Sequence, residues 1–326
     1  QITERCNLRC VHCFVSSGNY GDMIRIEIIQ KLVIPRLKEC RVISVTLTGG
    51  EPFIHPDIIE IVCLLRNADI KVGICTNGIS ISQDQMEALV KIGNVHLNVS
   101  LDGFRPESHG KFRGDKTSFI KTIRTICCLG RHRLLQGLLV TPNNLSEINE
   151  YAKLCVFAIE NGAAYVLMNP LSIMGRGVKA QKRFKVLDKA MLQIKEITLP
   201  FSDNIQIAYI RFPNNQRFPL ASCEAENIIY VFVHGEVAVC PYLVFAARTP
   251  QSLHKPEEFI VGNIFKDADI ADKLDAYKFH KRYHFGDNST CKSCSLDFRC
   301  GKGCPAAIIA SGQRIEGVDR EVCPCT

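Results

Sequence analysis

Short apolar runs alternate with longer stretches of helical periodicity along the first half of the chain. The strand-like runs lie at 42–52, 70–78, 95–103, 133–144 and 163–171, and the helix-like stretches at 55–67, 82–93, 117–129 and 145–161. This alternation predicts a parallel sheet with helices packed on it, with about six βα units if one more strand precedes Cys6. The sequence begins at Gln1 without an initiator Met, so a missing N-terminal piece that carries this strand is an open alternative.

The pattern changes after about residue 172. A Gly-Arg-Gly loop and a basic helix over 179–197 precede an apolar run at 205–212 and a hairpin over 227–242 that turns at His234-Gly235. The last 36 residues contain six cysteines and little apolar periodicity, so we expect bound metal to order them. The predicted domains are therefore 1–175 for the barrel, 176–222 for a bridging region and 223–326 for a cysteine-rich domain.

Composition narrows the class of protein. Hydrophobic residues make up 46% of the chain, charged residues 22%, and the net charge is +7. No apolar run approaches the roughly 18 residues of a membrane span, so we expect no membrane association. The positive charge is spread along the chain, which indicates solvated surface rather than a nucleic-acid partner; attraction of an acidic substrate or an anionic cofactor is the alternative.

The 17 cysteines are the unusual feature of the composition. In a long, helix-rich chain they indicate a reducing compartment and metal-bound thiols rather than a disulfide scaffold, so we expect a cytoplasmic protein. Six cysteines in apolar periodic segments are predicted to be buried small hydrophobes: Cys40, Cys63, Cys75, Cys127, Cys128 and Cys155.

Cys6, Cys10 and Cys13, the first cysteine set, form a C-x3-C-x2-C motif. A zinc site would need a fourth close ligand, and the adjacent His12 is expected to point away if Cys13 points in. A 4Fe–4S cluster instead accepts three thiolates and leaves one iron open, where a small molecule can bind.

Together with Thr48-Gly49-Gly50-Glu51-Pro52, this motif resembles the radical S-adenosylmethionine (SAM) superfamily. The resemblance implies that SAM chelates the open iron through its amino and carboxylate groups. It implies further that the glycines let the backbone approach SAM and that Glu51 helps to hold its methionine end. The SAM-contacting residues expected on this basis are Gly49, Gly50, Glu51, Thr76, Asn77, Ser100, Asp102 and Arg113. Two roles stay open for Arg113: it contacts a carboxylate of a ligand, or it forms an ordinary surface ion pair. No catalytic side chain is assigned.

The resemblance also implies the chemistry. The reduced cluster passes one electron to SAM, and the resulting 5′-deoxyadenosyl radical abstracts hydrogen from an unactivated C–H bond. The protein supplies orientation and excludes water. An external one-electron reductant such as flavodoxin or ferredoxin is expected as a partner.

The C-terminal cysteines resemble a SPASM domain, an extension of radical SAM enzymes with two auxiliary 4Fe–4S clusters. The resemblance implies that a second cysteine set, Cys223, Cys240 and Cys304, binds auxiliary cluster I. A third set then binds auxiliary cluster II, and its members are Cys291, Cys294, Cys300 and Cys323. The fourth position of cluster I has four alternatives: an open iron, Glu224, Glu226 or Cys325. A zinc ribbon is the rival interpretation of the C-x2-C pairs.

The resulting expectation is an α/β protein: a partial (β/α)6 TIM-like barrel with a small α+β SPASM domain. It would bind three 4Fe–4S clusters and SAM. Family members with both domains mostly modify peptides, so a ribosomal peptide maturase that makes a crosslink or another C–H modification is the favoured function. The alternatives are a tetrapyrrole side-chain-decarboxylating enzyme, a sulfatase-type protein maturase, and an enzyme acting on a sugar or another small molecule. An iron–sulfur electron carrier is the non-enzymatic alternative, but it would need neither the glycine turn nor a three-cysteine site.

Overall fold

The computed structural model contains two separate sheets. It describes residues 1–325, and Thr326, the last residue of the predicted C-terminal domain, lies outside the described residues. The larger sheet has six parallel strands in sequential order. They are β1 (Ser44–Leu47), β2 (Lys71–Thr76), β3 (Val95–Ser100), β4 (Leu135–Val140), β5 (Tyr165–Met168) and β6 (Gln206–Tyr209). Sequential parallel strands joined by helices form a partial (β/α)6 barrel, which confirms the predicted fold class.

Fourteen α-helices are found in the described residues. They are α1 (Ile26–Ile28), α2 (Ile34–Glu39), α3 (Ile58–Asn67), α4 (Gln83–Ile92), α5 (Lys111–Arg113), α6 (Ser118–Arg131), α7 (Ile148–Glu160), α8 (Gly177–Phe184), α9 (Asp188–Thr198), α10 (Pro241–Ala247), α11 (Ile270–Tyr277), α12 (Phe279–Arg282), α13 (Ser289–Lys292) and α14 (Pro305–Ala310). Short 3₁₀ or π turns lie at Ile29–Val33, Pro52–Ile54, Pro106–Gly110, Leu199–Asp203, Pro256–Phe259 and Asp297–Arg299. The predicted capping box at Ser82 and Gln85 is present at the start of α4.

The barrel core lies between the sheet and the helices outside it. Its side chains without solvent exposure include Ile58 and Ile61 of α3, Ile74 of β2, Leu97 of β3 and Ile126 of α6. Burial of each such side chain contributes about 1.5–3 kcal/mol to folding. This packing holds the strand ends rigidly enough to present functional groups at one edge.

The sixth strand of the sheet differs from the expectation. It is β6, from the predicted bridging region, and it pairs in parallel with β5. Residues before Cys6 instead run beside the end of β1, where Ile2 N donates to Thr48 O and Gly50 N donates to Thr3 O, both at 2.8 Å. The predicted helix over 179–197 is two helices, because the connecting Lys185 and Leu187 have extended backbones.

The smaller sheet is antiparallel and consists of β7 (Tyr230–Val231), β8 (Glu236–Ala238) and β9 (Ile260–Asn263). Its first two strands form the predicted hairpin, and Gly235 occupies the turn with φ +89°. The β9 strand was not predicted. Helices α10 and α14 pack together beside this sheet.

Helices in the described part of the chain are too short or too polar to span a bilayer. Among the six cysteines predicted to be buried hydrophobes, Cys155 is completely buried, and the other five are half-buried. The prediction therefore holds fully for Cys155 alone.

Candidate active site

Backbone hydrogen bonds hold the loop of the first cysteine set from the C-terminal side of the barrel. Arg176 donates its backbone N–H to Cys13 O at 3.0 Å and its Nε to Cys10 O at 2.7 Å. Gly175 precedes it with φ +52°, and a Cβ there would lie 2.4 Å from Phe14 O. Only glycine fits this position, so the Gly-Arg-Gly loop noted in the sequence serves to close the cysteine loop.

The thiols of this loop are buried. Cys6 and Cys10 are each 8% exposed. Burial raises the pKa of Cys6 to about 11 and the pKa of Cys10 to about 12, and the neighbouring Cys13 raises both further. Both would stay protonated at neutral pH, so thiolates here need a bound cation to stabilise them.

The spacing of the thiols bears on which metal fits. Among the described residues, one trio of His, Cys, Asp or Glu side chains has its ligand atoms within 4.8 Å of one another. No cysteine belongs to this trio. Tetrahedral zinc with Zn–S bonds of about 2.3 Å would bring sulfurs to roughly 3.8 Å from each other. A cluster in which each thiolate binds its own iron needs a wider spacing, so the first cysteine set fits a 4Fe–4S cluster better than zinc.

Glu51 joins the ends of two neighbouring strands behind this loop. Its carboxylate accepts hydrogen bonds from Thr76 Oγ1 and Asn77 N, each at 2.7 Å, and from Phe53 N at 3.1 Å. Asn77 Nδ2 in turn donates to Asn7 Oδ1 at 2.8 Å, inside the cysteine loop. Glu51 is 1% exposed, so it positions the turn after β2 through these bonds.

The two glycines before Glu51 are required by the protein's own backbone. A Cβ on Gly50 would lie 2.0 Å from Arg5 O, and one on Gly49 would lie 2.4 Å from Thr3 O. Glu51 N also donates to Arg5 O at 2.8 Å. The close approach is thus to residues 3–5, immediately before Cys6, whereas the family resemblance implied an approach to a ligand.

A cavity of about 920 Å³ opens beside the first cysteine set. Six of the eight residues expected to contact SAM line it: Gly49, Gly50, Thr76, Asn77, Ser100 and Arg113. Glu51 and Asp102 are buried behind these residues. The cavity extends to Pro241 and Tyr242, directly after Cys240 of the second cysteine set.

Residues 1–155 match the protein-family model of the radical SAM superfamily. Residues 1–155 form a radical SAM domain. The match runs from the cysteine loop through β4 into α7, and therefore includes the glycine turn and the cavity wall. A radical SAM domain implies a 4Fe–4S cluster and SAM, and the buried thiols and the adjoining cavity are a donor set and a space that fit them.

Similar proteins extend over more of the chain than this domain. AlbA of Bacillus subtilis, an antilisterial bacteriocin subtilosin biosynthesis protein, is 30% identical over 276 residues, 82% of this chain and 57% of AlbA. The mycofactocin maturase MftC of Mycobacterium tuberculosis is 24% identical over 98% of this chain and 81% of MftC. This chain thus spans little more than half the length of AlbA.

The crystal structure of Streptococcus suis SuiB bound to precursor peptide SuiA shares the fold. The TM-score is 0.77 at 19% identity, over 99% of this chain and 74% of SuiB. Since the covered part includes residues far beyond 155, the C-terminal region shares the fold as well.

An ion pair lies at the wall of the radical SAM cavity. Arg113 Nε donates to Asp102 Oδ2 at 2.7 Å, and Thr141 N donates to Asp102 Oδ1 at 2.8 Å. Burial, the largest single effect, would raise the pKa of Asp102, but Arg113 together with His12 and His109 holds that pKa below its ordinary value. The pair is buried rather than on the surface, and Asp102 uses both carboxylate oxygens to position its neighbours.

Two histidines beside this pair went unassigned in the sequence. His12 stacks on Phe112 with ring centroids 4.2 Å apart and lines the cavity, and His109 Nδ1 accepts the Asp102 N–H at 3.1 Å. Burial lowers the pKa of His12 to about 4 and of His109 to about 3, so both are neutral. They enclose the ion pair without adding charge, and no spacing signal in the sequence indicates this role.

The second cysteine set comes together although its members are far apart in sequence. Burial raises the pKa of Cys240 to about 12, and the nearby Cys304 and Cys223 raise it further. Cys240 and Cys304 directly precede α10 and α14, the packed helix pair. A backbone bridge between Ser222 and Lys302 brings Cys223 to the same place.

The third cysteine set is also assembled. Burial raises the pKa of Cys323, and Cys291, Cys300 and Cys294 add to that effect through their proximity. Cys325 Sγ lies 3.0 Å from Cys294 Sγ. Cys325 therefore lies beside the third set rather than completing the second.

Proposed function

We propose that this chain is a radical SAM peptide maturase with a SPASM domain, which abstracts hydrogen from a precursor peptide to form a crosslink or another C–H modification. The observation that carries the proposal is the single cavity that runs from the first cysteine set to Pro241 and Tyr242, directly after Cys240 of the second. The names of AlbA and MftC support a peptide substrate. The whole activity is inferred, because the chain covers only part of AlbA.

When bound at the first cysteine set, the cluster and SAM supply a strong hydrogen-abstracting oxidant. The protein's own groups do the positioning. Glu51 fixes the turns that line the cavity, and Arg113 presents a cation held in place by Asp102. The apolar cavity wall of Leu139, Leu167 and Leu171 keeps water away from the reacting carbon.

We propose further that the second and third cysteine sets bind auxiliary 4Fe–4S clusters I and II, which gives three clusters in all. The thiols of each set are near one another, and among the described residues no three of them lie within 4.8 Å of one another. Cluster I lies nearest the cavity and would accept an electron from the substrate. Glu224 and Glu226 both lie near Cys223, and Glu226 also lines the cavity, so these two carboxylates are the candidates for an open iron there. A cytoplasmic flavodoxin or ferredoxin would supply the reducing electron.

The test uses anaerobically reconstituted protein with SAM, dithionite and short peptides encoded beside its gene. Mass spectrometry should find one peptide with a changed mass, and 5′-deoxyadenosine released with it. Cys240→Ala should still cleave SAM but leave the peptide mass unchanged. If no peptide changes and a tetrapyrrole loses carboxyl groups instead, the peptide assignment is wrong.

A further inference from the structure

Cys75 is a thiol on the cavity wall that belongs to none of the three cysteine sets. It lies in β2 directly before Thr76, whose hydroxyl binds Glu51. The sequence pattern predicted a buried small hydrophobe, but Cys75 is half-buried and lines the same cavity as Gly49, Gly50 and Arg113. Its sulfur therefore adjoins the space where hydrogen abstraction would occur.

A hydrogen-bonded pair of side chains holds this thiol in position. Asn98 of β3 lies opposite Cys75 in the strand register and hydrogen-bonds to it. The Asn98 Oδ1 atom accepts the Tyr165 hydroxyl at 2.7 Å, which leaves the amide NH₂ group for the sulfur. Burial raises the pKa of Cys75 to about 11, so the sulfur carries its hydrogen at neutral pH.

Two tyrosines share the cavity with this thiol. Tyr230 of β7 and Tyr242 of α10 line it, and Tyr242 follows Cys240 of the second cysteine set by two residues. Thiols and phenols are the side chains whose S–H and O–H bonds are weak enough to give up a hydrogen atom.

We propose that Cys75 donates a hydrogen atom to carbon-centred radicals in this cavity. In the step, the S–H bond of Cys75 breaks homolytically and a C–H bond forms, which leaves a thiyl radical. One electron from a reduced iron–sulfur cluster and one proton from solvent restore the thiol. The transfer is downhill because an S–H bond is weaker than an aliphatic C–H bond. The inference rests on the SAM-cleaving part of the proposed function and not on the peptide.

The first test follows isotope transfer in the absence of peptide. Reconstituted protein is incubated with SAM and dithionite in D₂O, where the thiol exchanges to S–D, and the released 5′-deoxyadenosine is weighed by mass spectrometry. Wild type should incorporate one deuterium. Cys75→Ser and Cys75→Ala should lose this label, since a serine O–H bond is too strong to replace S–H. The matched control Cys63→Ser, which removes a half-buried thiol of α3 that does not line this cavity, should retain it.

The second test needs no turnover. Iodoacetamide should alkylate Cys75 of the reconstituted protein slowly, and SAM should slow this reaction further while leaving alkylation of Cys63 on α3 unchanged. The inference is overturned if Cys75→Ser keeps the deuterium label, if Cys63→Ser loses it equally, or if SAM does not protect Cys75. If wild type releases no 5′-deoxyadenosine, the SAM-cleaving function itself fails, which is a different result.

Discussion

A single methyl group at Gly50 should displace the first cysteine set. The Gly50→Ala Cβ would lie 2.0 Å from Arg5 O and 2.4 Å from Arg5 C, so the backbone next to Cys6 must move. That movement breaks two backbone hydrogen bonds of 2.8 Å, Glu51 N to Arg5 O and Gly50 N to Thr3 O. Each bond contributes about 0.5–1.5 kcal/mol and overpacking costs about 1–3 kcal/mol, so the expected loss of stability is about 2–6 kcal/mol.

The assay is iron content after anaerobic reconstitution, followed by denaturant unfolding. Gly50→Ala should lack about four irons, the content of one 4Fe–4S cluster, and should unfold at a lower denaturant concentration than wild type. Gly18→Ala is the matched control, because Gly18 also borders the cysteine loop but a Cβ there would meet no atom within 4 Å. If Gly50→Ala binds normal iron and unfolds like wild type but loses SAM affinity, the glycine serves ligand approach alone and the steric explanation is refuted.

Four further variants test three other contacts. Asp102→Asn should leave the buried Arg113 unpaired and lower the free energy of unfolding by about 3–5 kcal/mol. Because the pKa of Asp102 is lowered on folding, this contribution to stability is present above about pH 4 and is lost as pH falls through the folded-state pKa. The denaturant midpoints of wild type and variant should therefore converge in acid. Arg176→Met removes the Nε bond to Cys10 O and should speed iron loss to a chelator, whereas an unchanged rate would assign the loop's rigidity to other bonds. Cys325→Ser should keep wild-type iron content and Cys294→Ser should lose about four irons; the reverse result would make Cys325 the ligand.

The barrel was predictable because its signals are local. Apolar periodicity alone identifies five of the six parallel strands, and the capping box at Ser82 marks the start of α4. The sixth strand was misassigned because β6, Gln206–Tyr209, lies beyond the point where the βα alternation weakens. A strand there owes its place to its neighbours, which a local pattern does not contain.

The candidate site was predictable in its residue types and less so in its contacts. Cysteine spacing and the glycine turn pointed to residues that share one cavity, and six of the eight expected SAM residues line it. The positioning roles of Glu51 and Asp102 depend on Thr76, Asn77 and Thr141, which only the fold brings to them. The exposure of Cys75 to the cavity likewise depends on which face of β2 points inward.

The most direct test of the account is the metal content of the reconstituted protein, measured as iron and zinc per chain together with its Mössbauer spectrum. Three cysteine sets that each bind a 4Fe–4S cluster predict about twelve irons, and replacing Cys6, Cys10 and Cys13 by Ala should leave about eight. About four irons accompanied by zinc would contradict the assignment of the second and third cysteine sets. It would also contradict the proposal that an iron–sulfur cluster lies next to the cavity at the second set.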